Sequence, residues 1–256
     1  MDKSLHILIT GASRGLGAAL ARGYAKHYGS ELQLSLVARD KNNLLNSEQQ
    51  CLNFGAKVNS YAVDISEPNQ SIELIESLET IDIAIINAGI TGDSHKATEP
   101  WQQQEAIIKT NLLGAMACTH ALIPAMQKRA SGSIVLISSV AAYRGFGLTP
   151  TYCASKAGLK AYADSIRDGL AAQGVKVHLV LPGFIQTNMS NKFKAAKPFM
   201  LKADMAAELI INKINRGQWV ISFPRLLSYS QRLLNCLPAR WGDAILKRMG
   251  YGSPDK

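Results

Sequence analysis

His6-Ile7-Leu8-Ile9-Thr10 is a short apolar run that stops at Gly11, and its length and flanks mark it as a buried strand. Gly11-Ala12-Ser13-Arg14-Gly15-Leu16-Gly17 follows, and then Ala18, Leu20, Ala21, Tyr24 and Ala25 recur at helical spacing. Strand, glycine turn and helix in that order make a phosphate cradle. Glycines let the backbone turn tightly and approach a pyrophosphate, whose charge then sits at the helix N-terminus. Glycines alone would mark any tight βα turn; their position after the first strand is what points to a dinucleotide.

The rest of the chain continues the alternation. Residues 32–38, 58–63, 81–86, 133–137, 175–181 and 219–222 read as strands. Between them, 41–54, 72–78, 105–126 (with Pro124 near its end), 151–172 and 203–214 read as helices. Strands alternating with helices imply parallel strands, right-handed crossovers and helices on both faces of one sheet. The expected fold is an α/β single-domain Rossmann fold with a doubly wound, mostly parallel seven-stranded sheet. Residues 1–223 are expected to form the dinucleotide-binding catalytic domain, and 224–256 a C-terminal helical extension packed on it.

Composition closes off other classes. At 256 residues with 47% hydrophobic content the chain can bury a substantial core. No run of about 18 apolar residues suggests a membrane span, and the N-terminus lacks the pattern of a signal peptide. Cys51, Cys118, Cys153 and Cys236 are scattered without a Cys-x-x-Cys pair, which reads as reduced thiols in a cytoplasmic protein rather than a disulfide or metal framework. The net charge of +9 is uneven: residues 192–256 hold 12 Lys+Arg against 4 Asp+Glu, whereas 1–191 hold 16 against 15. That basic tail lacks the aromatics that stack bases, so nucleic acid is not the expected partner.

Ligands in such sheets bind beyond the carboxyl ends of the strands. Asp64, Asn87-Ala88-Gly89, Ser138-Ser139 and Pro182-Gly183 all fall on that edge. Singly each is an ordinary turn or cap residue; together they outline a site. The fifth helix adds Tyr152 and Lys156, four residues apart and so on one helical face. A free phenol has a pKa near ~10. A neighbouring ammonium favours the phenolate, and lowering that pKa by roughly three units takes about 4 kcal/mol.

These motifs, in this order over residues 6 to about 222, resemble the short-chain dehydrogenase/reductase family. Thr10-Gly11-x-x-x-Gly15-x-Gly17 resembles its cofactor turn, with Ser13, Arg14 and Leu16 inside it, and Asn87-Ala88-Gly89 resembles its fourth-strand motif. Tyr152-x-x-x-Lys156 resembles the catalytic pair, Ser139 the catalytic serine and Asn111 the catalytic asparagine. Pro182-Gly183 with Thr187 resembles the nicotinamide-side motif, and Asp64-Ile65 joins the cofactor-binding set. The resemblance implies hydride transfer between nicotinamide C4 and a carbonyl or secondary alcohol, with Tyr152 as general acid/base. Lys156 would lower the tyrosine pKa and bind the nicotinamide ribose. Ser139 would hydrogen-bond the substrate oxygen, and Asn111 would hold a water leading from Lys156 to solvent. Ser138 competes for the serine role; side chains alternate along a strand, and the thirteen-residue spacing to Tyr152 favours Ser139. The rival reading is a catalytically silent nucleotide-binding sensor or scaffold, which would be expected to lose one of these four side chains.

About twenty residues past the glycines a carboxylate normally binds the 2′-hydroxyl of NAD. Here Arg39 holds that position, and a guanidinium pairs with a 2′-phosphate, so NADP is expected ahead of NAD. Arg14, inside the glycine turn, is within expected reach of the same phosphate, while Asp40 is expected to point away or cap the next helix. The substrate pocket reads as mainly apolar. Phe184, Met189, Phe193, Phe199, Met200 and Leu201 form a flap around Lys192, Lys194 and Lys197, and Tyr143, Phe146 and Leu148 form the opposite wall.

The chain departs from the family after residue 222, where many members end in a glycine-rich close that builds tetramers. A homodimer is expected instead. Leu226, Leu227, Ser230, Leu233, Leu234 and Leu237, then Trp241, Ile245 and Met249 beyond Pro238, recur at helical spacing beside Arg232, Arg240, Lys247 and Arg248. This reads either as a helical hairpin packed on the domain with a solvated basic face, or as a weak peripheral contact with anionic membrane or a partner.

Overall fold

Strand β1 (Leu5–Thr10) has Ile7, Leu8 and Ile9 completely buried, so it is apolar on both faces. That pattern belongs to a parallel sheet covered by helices on each side. The computed structural model describes residues 4–92, 99–193 and 195–251; Lys194 and the last five residues of the extension lie outside them. β1 pairs in parallel with β2 (Leu32–Ala38) and with β4 (Ile83–Ile86). β3 (Lys57–Ala62) extends the sheet beyond β2. β5 (Gly132–Ile137), β6 (Val175–Pro182) and β9 (Val220–Phe223) extend it beyond β4. The order is β3-β2-β1-β4-β5-β6-β9, with every pairing parallel. The winding reverses between β1 and β4, and the crevice at their carboxyl ends is where such a sheet holds a ligand. Short strands β7 (Ile185–Gln186) and β8 (Leu201–Lys202) pair separately after β6.

Two cores flank the sheet. Ile7 and Ile9 face α1 (Gly15–Tyr28), α2 (Lys41–Leu52) and α8 (Ala203–Asn215). Leu8 faces the other layer, made by α3 (Pro68–Ser77), α5 (Gly114–Lys128) and α6 (Pro150–Ala171). Element ends move a few residues from the sequence reading, as at α3, where Pro68 takes the first helical turn that suits its fixed φ.

The helix expected as one piece over 105–126 is three: α4 (Trp101–Ile108), a π-helical turn at Lys109–Leu113, and α5. Contrary to the sequence expectation, Trp101–Lys128 as a whole is long and apolar enough to cross a membrane. Half of its most apolar window is buried in the domain, with Ile107, Cys118, Leu122 and Met126 in the core.

Beyond β9, α9 (Arg225–Cys236) and α10 (Ala239–Arg248) lie against the domain. Leu234, Leu246 and Tyr251 join Ala141, Phe146 and Cys153 in a third, smaller core. Arg144 ties both helices down: its Nη1 donates to the Leu234 carbonyl at 3.3 Å, and its Nη2 to the Ala239 carbonyl at 3.3 Å and Asp243 Oδ1 at 2.7 Å.

Candidate active site

The glycine turn is shaped by close packing. Gly11 has φ +66°, and a Cβ there would stand 2.7 Å from Ala88 Cα. At Gly17 a Cβ would stand 2.2 Å from the Gly11 carbonyl oxygen. Neither position tolerates a side chain, so β1, the turn and the segment after β4 close on one another. Thr10 Oγ1 accepts from the Asn87 and Ala88 amides at 3.0 and 3.1 Å, and Asn87 Nδ2 donates to the Thr10 carbonyl at 3.0 Å. Gly15 has φ +58°, and a Cβ there would come within 3.2 Å of the Thr187 methyl. Thr187 itself caps α7 (Asn188–Asn191), so the segment after β6 arches over the turn.

At the end of β2, Arg39 is more than half exposed and pairs with Asp64 at 3.4 Å. Burial raises the Asp64 pKa, but bonds from the Ser66 amide and hydroxyl, with the Arg39 charge, leave it below the usual range. Asp40 is turned away from that pairing: its side chain caps α2, accepting from the Asn43 amide at 3.1 Å. Arg14 opens α1 with extended backbone and borders the same cavity as Arg39. The rim therefore carries two guanidinium groups and two carboxylates, Asp64 paired with Arg39 and Asp40 engaged as the α2 cap.

The reactive side chains converge from β5 and α6. Ser138 Oγ donates to the Lys156 carbonyl at 2.8 Å, which commits it to holding α6 on the sheet. Ser139 faces Tyr152, and its hydrogen bond acts to lower the phenol pKa. Alternation thus separates a serine that holds α6 from one on the cavity side, where Ser139 Oγ accepts from the Ala141 amide at 3.1 Å and donates to the Pro182 carbonyl at 3.4 Å. Lys156 is buried, and its Nζ donates to the Ile137 carbonyl at 2.9 Å and lies 5.8 Å from the Tyr152 ring centre. Asn111, in the widened turn, accepts from the Ile90 amide at 2.8 Å and donates to the Ile90 carbonyl at 2.9 Å and Ser155 Oγ at 3.0 Å. A Cβ on Gly89 would lie 3.2 Å from Asn111 Oδ1 and 3.4 Å from Lys156 Nζ, so this glycine leaves the room in which the two meet.

Burial, only partly offset by the Ser139 hydrogen bond, pushes the Tyr152 phenol up to about 12. Burial also pulls Lys156 down to about 8. The ammonium is held against the end of β5 by Ile137, and burial disfavours the charged form of both groups.

Apart from Gly17 and Asn111, every side chain singled out for cofactor or catalysis borders a single cavity of about 720 Å³. Gly17 acts behind the turn, and Asn111 acts behind Gly89. At the other end of the cavity are Phe146, Phe184, Met189, Phe193 and Lys192. Five expected wall residues do not line it: Tyr143 turns to Arg232 in a separate small pocket, Phe199 and Met200 are exposed, Leu148 is buried, and Leu201 is taken up by β8. The sequence reading missed Leu227, Gln231 and Tyr251, which the extension contributes to the cavity. Tyr251 stacks on Phe146 and Phe193 at 5.6 and 5.9 Å and donates to the Ala196 carbonyl at 2.7 Å. It missed Glu99 too, whose Oε2 accepts from the Thr151 amide at 3.2 Å, one residue before Tyr152. The apolar spacing of α9 was legible; which of its faces would meet the cavity was not.

The turn fits a dinucleotide: Gly11, Ser13, Gly15 and Leu16 border the cavity at the start of α1, beside two arginines. Comparisons with known proteins agree with this geometry. The short chain dehydrogenase family model matches residues 5–198. An oxidoreductase of Myxococcus xanthus is 31% identical over 246 residues, covering 94% of this chain and 96% of the relative. Ketoacyl reductase HetN of Nostoc is 34% identical over 197 residues, covering 75% and 68%. The structure of a short-chain dehydrogenase from Sphingobium yanoikuyae, in complex with NADPH, superposes with a TM-score of 0.79 over 98% of this chain and 96% of that one, at 24% identity. The fold, the turn and the matched residues lead to one family: this chain is a short-chain dehydrogenase/reductase.

Proposed function

We propose that the protein is an NADP-dependent carbonyl reductase and alcohol dehydrogenase acting on a largely apolar small molecule. The observation that carries this reading is the convergence of Ser139, Tyr152 and Lys156 on the cavity that the glycine turn and Arg39 border. When bound, the nicotinamide supplies or takes up the hydride. The backbone of Gly11, Ser13, Gly15 and Leu16, at the start of α1, receives the pyrophosphate. Arg39 and Arg14 hold the 2′-phosphate, and Asp64 and Ile65 border that end. Asn87, Ala88 and Gly89 with Lys156 and Tyr152 hold the nicotinamide ribose, and Pro182, Gly183 and Thr187 hold the carboxamide side.

Tyr152 gives its proton to the substrate oxygen as charge develops there, while Ser139 donates a second hydrogen bond to the same oxygen. Lys156 places a positive charge beside the phenolate left behind. Asn111 keeps the Ile90 segment fastened to α6 and lines the route by which the proton returns. The ketoacyl reductase among the relatives and the aromatic wall of the cavity both favour a keto group on an apolar chain or ring. Four free cysteines suit the reducing cytoplasm.

Purified protein is to be tested with NADPH and NADH against ketones and 3-oxoacyl thioesters. Turnover is expected with NADPH on apolar substrates; an NADH preference, or no turnover on any carbonyl, counts against this reading. Arg39→Asp should weaken NADPH about 100-fold while sparing NADH, since a charge-assisted phosphate contact is replaced by repulsion. An unchanged ratio of the two dissociation constants would remove Arg39 from the phosphate.

A further inference from the structure

Helices α9 and α10 each bury one narrow stripe and leave the rest in solvent. Leu227, Leu234 and Leu246 go inward. Leu226, Leu233 and Trp241 remain 65%, 67% and 68% exposed, and Tyr229, Ile245 and Met249 are exposed beside them. A lone exposed leucine needs no explanation, but a cluster of large apolar side chains on two consecutive helices does. Their charge is one-sided as well. Arg225, Arg232, Arg240, Lys247 and Arg248 are all exposed, and the sole acid on the two helices, Asp243, is already paired with Arg144.

The charge decides what covers this face. A second copy across a two-fold axis would set the face against itself. Its five cations would meet five more, with no unengaged carboxylate on either helix, and such like-charge juxtaposition opposes association. An anionic bilayer satisfies both halves of the pattern, with headgroup phosphates opposite the arginines and leucine and tryptophan side chains at the level of the headgroups. We propose that α9 and α10 are a docking surface for anionic lipid bilayers. The inner side of the same segment contributes Leu227, Gln231 and Tyr251 to the cavity, so docking sets the apolar end of the cavity beside the lipid. That consequence rests on the substrate reading above; the docking itself does not.

The test is co-sedimentation of the full chain with vesicles of phosphatidylcholine alone and of phosphatidylcholine with phosphatidylserine, at low and high salt. The protein should pellet only with the anionic vesicles, and high salt should lower the bound fraction about tenfold through screening. Arg240→Glu with Arg248→Glu should weaken binding at least about tenfold, and Trp241→Ala should weaken it further, with melting temperature and turnover of a water-soluble ketone unchanged. Absence of pelleting with anionic vesicles at low salt, or equal pelleting with neutral ones, overturns the proposal. So does a fall in solution mass for the arginine variants with vesicle binding intact, which would assign the face to a second copy. The wild-type comparison of the two vesicle types decides the matter even where a variant fails to fold.

Discussion

At Lys156 stability and function pull in opposite directions. Holding its ammonium in the core moves its pKa from 10.5 to about 8, a cost of about 3 kcal/mol at neutral pH. Lys156→Met should therefore raise the stability of the ligand-free protein by up to about 3 kcal/mol, read by urea unfolding, while turnover falls at least about 100-fold. The pH dependence follows in sign. A group with a depressed folded pKa contributes stability that is present above its unfolded value and lost as pH falls, so wild type should gain stability as pH rises from about 8 towards 10.5. Tyr152 has the opposite sign, its share being lost as pH rises from 10.0 to about 12. The methionine variant should lack the rise. A variant that is less stable than wild type at neutral pH, or that keeps the rise, would contradict the account. The pair itself was legible in the sequence from four-residue spacing. Its electrostatics were not, because burial by residues far along the chain shifts both groups.

At the scale of elements, strands and the glycine turn were legible because parallel strands buried on both faces read as unbroken apolar runs. The break at Lys109–Leu113 was not, since one added residue in a turn leaves the apolar spacing of 105–126 nearly unchanged. That break is what turns Asn111 inward to Ile90 and Ser155. The start of α6 was equally hidden. Its N-cap, Thr149, makes no side-chain cap, and the first turn is instead held by Glu99 from the preceding segment. The carboxylate is buried and sits close against Gly92. Removing it leaves the Thr151 amide unpaired one residue from Tyr152. Glu99→Ala should lower stability by about 2 kcal/mol and reduce kcat more than it raises KM. Glu99→Gln, which keeps an acceptor, should restore most of both. Thermal unfolding and steady-state kinetics on the two variants check this, and equal losses in both would show that the acceptor is not what matters.

For the molecule as a whole, the cavity is a joint product of the α/β domain and the extension. Leu246 is 4% exposed and packs with Phe146 and Tyr251 in the core between them. Leu246→Ala should cost about 2–5 kcal/mol and raise KM for apolar substrates, whereas loss of stability with KM unmoved would separate the extension from the site. Such long-range packing explains why Tyr143 and Phe199 were misplaced from sequence while Phe184 and Phe193, beside the β6 motif, were placed correctly. The most direct measurement of the central claim is NADPH-dependent turnover of a ketone substrate by Tyr152→Phe against wild type, with NADPH affinity determined in parallel. The account predicts at least about a 1000-fold fall in kcat, because the proton donor is gone, with NADPH binding changed only slightly. Wild-type turnover by the phenylalanine variant would show that Tyr152 is not the acid of this site.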